Sequence, residues 1–128
     1  MIAIENKKML NVCQVCDGIE FTPKLSYSFD VTTKKLTIIE GSTFPSGDSL
    51  QNVNVRATVE GIDRSGSIKK EGESVEIDLS DLNTSRGFNI TATIVSKNRQ
   101  TANLAVYDAA SIVDSTKGDM VKNGFQNS

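Results

Sequence analysis

Histidine and tryptophan are absent from this chain, and it has only two cysteines, two prolines and a 5 % share of aromatic residues. Without His the commonest general base is missing. No nucleophile elbow, phosphate-cradling glycine loop or carboxylate pair in recognisable context takes its place, so the chain is expected not to be an enzyme. With no Trp, five Phe and two Tyr, a core has to be assembled mostly from Val, Ile, Leu and Ala, and such a core is thin. Lys and Arg number 14 against 16 Asp and Glu, for a net charge of −2. The two signs are interspersed, which leaves no basic face for phosphates and no expectation of direct nucleic-acid binding. No apolar run approaches the roughly 18 to 20 residues of a membrane span, so no membrane partner is expected. The opening residues 1–8 carry their lysines after a very short apolar patch, the reverse of a signal peptide, and the expectation is a chain used without export.

What the chain does have is a repeated period of two. From Phe88 to Ile94, Phe88, Ile90, Ala92 and Ile94 alternate with polar residues, which places them on one face of a strand and leaves the other face wet. A first strand expected over Ile19–Val31 carries the same beat at Phe21, Leu25, Tyr27, Phe29 and Val31, and a second over Lys35–Glu40 carries Leu36, Ile38 and Ile39; the beat goes on through Val53, Val55, Ala57 and Val59, through Val75, Ile77 and Leu79, and through Ala102, Leu104 and Val106. Pro23 implies a bend or an edge at the start of the first strand. Turn chemistry falls between the runs, at Thr32–Lys34, Gly61–Gly66, Glu71–Glu73 and Lys97–Arg99, with a short strand expected over Ser67–Lys70. The pattern predicts an all-β fold: one antiparallel β-sandwich of about seven strands over residues 19–109. An N-terminal arm (1–18) and a C-terminal tail (110–128) flank it. The longest loop is Gly41–Gln51. The tail is mostly Asp, Lys, Gly, Asn and Ser, a composition that does not fold alone.

Cys13-Gln14-Val15-Cys16 is the only motif with chemical potential. Two thiolates at this spacing can clamp one side of a zinc ion, but a closed site needs four ligands. Cys13 and Cys16 would therefore need ligands from another subunit. Free thiols and a redox pair remain open, and no cofactor is required. Asp48, Asp63, Asp78, Asp81 and Asp108 stand near predicted strand ends. Turn capping accounts for them better than calcium, with Asp81 expected to cap the turn after Ser80. The doublets Lys7-Lys8, Lys34-Lys35 and Lys69-Lys70 sit at strand ends, where lysines discourage unwanted sheet pairing. The isolated apolar residues of the two arms, Ile2, Ile4, Leu10, Val12, Met120, Val121 and Phe125, are the candidate partner-binding anchors.

Two resemblances sharpen this reading. The stretch from Ser74 to Leu82, followed by Gly87 to Ala92, resembles the E–F corner of fibronectin type III and other immunoglobulin-like domains, with Leu82 closing strand E and Phe88 opening strand F. The family often has a corner Tyr there, and Phe88 cannot make its hydroxyl bond. The stretches Tyr27–Ile38 and Ser42–Asp48 are similar to small virion proteins of tailed phages that infect Bacteroides, including crAss-like phages. That resemblance implies a structural virion protein: an auxiliary (decoration) capsid protein, assembled in the host cytoplasm. Its terminal arms would meet the major capsid protein and other virion subunits. An adhesion or glycan-binding module (a head fibre or surface domain) using the Gly41–Gln51 loop, or a neck or tail component, stays open.

Overall fold

The computed structural model describes residues 20–110 and 116–122. Every regular element among them is a strand: β1 (Leu25–Asp30), β2 (Lys35–Glu40), β3 (Leu50–Val59), β4 (Ile62–Ile68), β5 (Ser74–Asp78), β6 (Phe88–Ser96), β7 (Thr101–Ala109), β8 (Lys117–Asp119) and β9 (Val121–Lys122). They form two antiparallel sheets, β5-β2-β1-β8 and β4-β3-β6-β7-β9, whose inner faces share one apolar core. The fold is the expected β-sandwich. Lettered in the immunoglobulin manner, β1, β2 and β5 are strands A, B and E, and they face β4, β3, β6 and β7 as C′, C, F and G.

The period-two residues are the core. Leu25, Leu36, Ile38, Val53, Val55, Ile90 and Ile94 are fully buried or nearly so. In place of a tryptophan, Phe29 of one sheet meets Phe88 of the other edge-on, with centroids 4.9 Å apart and planes at 63°. The hairpin turns follow from local chemistry. Asp30 Oδ1 accepts hydrogen bonds from the N–H groups of Thr32 (2.8 Å) and Thr33 (3.2 Å), which bends the chain into β2. Glu60 and Gly61 both have positive φ (49° and 83°), the pair of left-handed residues that a two-residue hairpin loop needs.

That tight turn corrects the expectation of a long turn over Gly61–Gly66. The segment Asp63-Arg64-Ser65-Gly66 is polar and contains a glycine, yet it pairs residue by residue with β3, from Val53↔Ile68 to Val59↔Ile62. Gly66 belongs there because the sheets pinch together at this flank: a Cβ on it would lie 2.8 Å from Val75 Cγ2 and 3.4 Å from Ile77 Cγ1. The first strand is Leu25–Asp30, shorter than the expected Ile19–Val31, and Val31 and Ile39, counted among the apolar strand residues, are exposed, Val31 in the turn after β1 and Ile39 on the outer side of β2. Ahead of Pro23 there is an isolated bridge, Thr22↔Thr43, beside which Phe21 stacks on Phe44.

The opposite flank is closed by residues assigned to a tail. β8 pairs with β1 in one sheet, β9 pairs with β7 in the other, and Met120 crosses between them. Met120 N–H donates to Leu25 O at 2.8 Å, and its side chain, 5 % exposed, packs into the core. Met120, expected as an anchor for a neighbouring subunit, is instead spent on this chain's own sandwich. A three-residue and a two-residue strand carry too little periodicity to be read from sequence; their order comes from backbone pairing with two sheet edges. The same crossing brings Met120 beside the start of β1, so the described chain enters and leaves the sandwich at one end.

Both flanks can be tested by thermal or denaturant unfolding. Gly66→Ala should cost about 1–3 kcal/mol, because stiff Val75 cannot move aside freely. Met120→Ala should cost about 2–4 kcal/mol, whereas Val121→Ala should stay within about 0.5 kcal/mol. Equal effects at 120 and 121 would contradict the burial described here.

Candidate interaction surfaces

Where β2 ends, Glu40 is only 2 % exposed, and both of its carboxylate oxygens are occupied: Oε2 accepts from Ser42 N–H (2.7 Å) and Oε1 from Gly72 N–H (2.9 Å). Glu71 Oε2 accepts from Leu50 N–H at 3.2 Å, and Asp48 Oδ1 accepts from Ser49 and Asn98 N–H groups at 2.8 and 2.9 Å. These acids tie the Gly41–Gln51 loop to the neighbouring turns, which makes them structural groups. Among the described residues, no group of three His, Cys, Asp or Glu is placed to hold a metal. At the other end, Asp78 caps the corner: its Oδ1 accepts from Ser80 N–H at 2.9 Å. Asp81, expected in that role, reaches across to Arg64 Nη2 at 2.8 Å instead, an exposed pair of small energetic weight. The E–F corner manages without a tyrosine hydroxyl. Leu82 N–H donates to Leu79 O and Gly87 N–H to Thr84 O, both at 3.0 Å, while Phe88 fills the core.

An open trough of about 640 Å³ lies on the outer face of the five-stranded sheet. Register assembles it. Ser65, Arg56 and Thr91 form one row across β4, β3 and β6, and Ser67, Asn54, Thr93 and Asn103 form the next, reaching β7. Val55 and Ala92 contribute to its floor with side chains buried on the core side. Thr93 Oγ1 donates to Asn103 Oδ1 at 2.9 Å. The bond engages the amide oxygen and leaves the amide nitrogen to donate outward. The Arg56 side chain is 63 % exposed; its nearest carboxylate is Asp63, with Oδ2 3.9 Å from Nε. Sequence reading missed this face, since each of its residues is an ordinary solvated position until the register puts them together.

A second surface lies at the outer edge of the same sheet. Val121 on β9 is 63 % exposed, and Tyr107 on β7 is 56 % exposed. Val121 pairs with Ala105, and Tyr107 follows Ala105 by two residues, so the two exposed apolar side chains flank one spot on the outer face. β9 is the outermost strand of this sheet among the described residues. Of the predicted site residues, Val121 stands on this surface and Met120 is buried. Ile2, Ile4, Leu10, Val12, Cys13, Cys16 and Phe125 lie outside the described residues.

Two turn acids carry a pH dependence. The backbone N–H groups of Thr32 and Thr33 hold the Asp30 carboxyl below its ordinary value, and the Ser80 hydroxyl and N–H do the same for Asp78. A folded-state value below the unfolded one adds stability above about pH 3.9 and loses it as pH falls through the folded value. Carboxyl titration by NMR should place both midpoints below about 3.9. Asp30→Asn should flatten the acid-side fall in melting temperature, and midpoints at or above the ordinary value would refute the turn assignment.

Compared with known protein families, curated proteins and solved structures, the chain matches none.

Proposed function

We propose that this chain is a structural protein of a larger assembly: an auxiliary capsid protein of a tailed phage that attaches to the capsid lattice through its terminal segments. The observation that carries this reading is the pair Val121 and Tyr107, two large apolar side chains left exposed on the outer face beside an outermost strand. An apolar spot beside a strand edge suits addition of a neighbour's extended segment, with main-chain hydrogen bonds giving affinity and the side chains giving register. The capsid as partner comes from the resemblance of Tyr27–Ile38 and Ser42–Asp48 to small phage virion proteins, and from the apolar residues Ile2, Ile4, Leu10 and Val12 in the first eighteen positions. Each contact is small, and a lattice repeats it many times, so that weak sites sum by avidity.

The role of Met120 decides how to test this. Removing the whole C-terminal segment would also strip β8, β9 and a core side chain, and would confuse unfolding with lost attachment. A cleaner probe is Val121→Asp, which puts a charge on the outer face and leaves the core alone. We expect it to reduce co-sedimentation with virions at least tenfold while the melting temperature stays within about 2 °C of the parent chain. Replacing Ile2 and Ile4 together by Ser should reduce it likewise. Undiminished incorporation of both variants would reject the proposal.

A further inference from the structure

We propose that the outer trough of the five-stranded sheet is a binding site for an acidic glycan, with Arg56 taking a sugar carboxylate and the flanking Ser, Thr and Asn side chains taking hydroxyl groups. This site is distinct from the Val121 edge and does not rest on the capsid reading.

The chemistry of the lining points to this ligand class. Every side chain that faces out of the trough is polar, and the apolar residues beneath it turn inward. A protein partner is held mainly by buried aromatic or aliphatic anchors in pockets, and the described residues that line the trough offer none. A glycan presents donors and acceptors every few ångströms, and the two rows present the same along rigid strands, about 4.8 Å apart between strands and about 6.8 Å apart along them. Ser, Thr and Asn are short, so fixing them on a ligand costs little rotamer entropy, and the Thr93–Asn103 hydrogen bond already orients one amide.

Charge narrows the class further. Among the described residues, Arg56 is the only charged side chain lining the trough, and no carboxylate lines it. Asp63 is the near acid, at 3.9 Å from Nε and itself 56 % exposed, an arrangement too loose and too wet to neutralise a guanidinium. A planar guanidinium flanked by hydroxyl and amide groups fits a carboxylate set among hydroxyls, because it can hold both carboxylate oxygens at once. With no aromatic ring in the lining, recognition is by hydrogen bonds and one ion pair, so affinity is modest and falls with salt.

Affinity electrophoresis of the full chain tests this, using native gels containing polygalacturonate, alginate or hyaluronan, with dextran as the neutral control. At least one acidic polymer should retard the chain, and dextran should not. Arg56→Ala and Asn54→Ala should each weaken that retardation tenfold or more, Thr91→Val should weaken it less, and all three should melt with the parent chain. Val121→Asp should be retarded like the parent. No retardation by any acidic polymer overturns the proposal, as does equal retardation by dextran. Retardation that survives Arg56→Ala, or that Val121→Asp abolishes, also overturns it, since the contact would then lie elsewhere.

Discussion

A sandwich of two short sheets has two open flanks, and this one stands on how they are shut. On one side Gly66 lets β4 approach Val75 and Ile77 of the facing sheet without a Cβ between them. On the other, a six-residue strand pair adds one rung to each sheet and drops Met120 into the gap. The core between is built mostly from aliphatic residues, with the rings of Tyr27, Phe29 and Phe88 among them and Phe21 and Phe44 packed at its border. Any flank left open would wet a large share of it, because a domain this small has a high ratio of surface to interior.

The two closures leave different surfaces behind. The pinched flank sets Gly66 against Val75 and Ile77 and buries Ile68, while Ile62 at the start of β4 stays exposed. The strapped flank places a hydrophobic side chain inward and turns its neighbour Val121 outward, since adjacent residues of a strand point to opposite sides. A segment that seals the sandwich therefore also exposes an apolar residue at its border. The polar trough arises from the same alternation: the wet face of β3, β4, β6 and β7 is what remains once the other half of each strand has been committed to the core.

Much of the fold was legible because alternation is a direct imprint of burial. Phe88, Ile90, Ala92 and Ile94 announce their strand and its orientation together. β4 was not legible, because its packing demands a glycine and its outward residues are polar, so four successive positions look like a turn. β8 and β9 were not legible because they are held by main-chain pairing, to which any residue but proline can contribute. Asp78 and Asp81 are three positions apart and equally suited to capping; only the geometry shows that one bonds locally and the other reaches Arg64. The surfaces were the least legible part. Arg56, Thr91 and Asn103 are far apart in the chain, and no local pattern marks residues that share a face through strand register.

The meeting of Met120 with Leu25 has one more consequence. Because the polypeptide comes in and goes out at the same pole, the body has a base and a tip. The Glu60–Gly61 hairpin and the Leu79–Gly87 corner belong to the tip, a strand's length away from the base. A foreign epitope spliced into that hairpin would be displayed at the tip, a strand's length from the Leu25–Met120 contact.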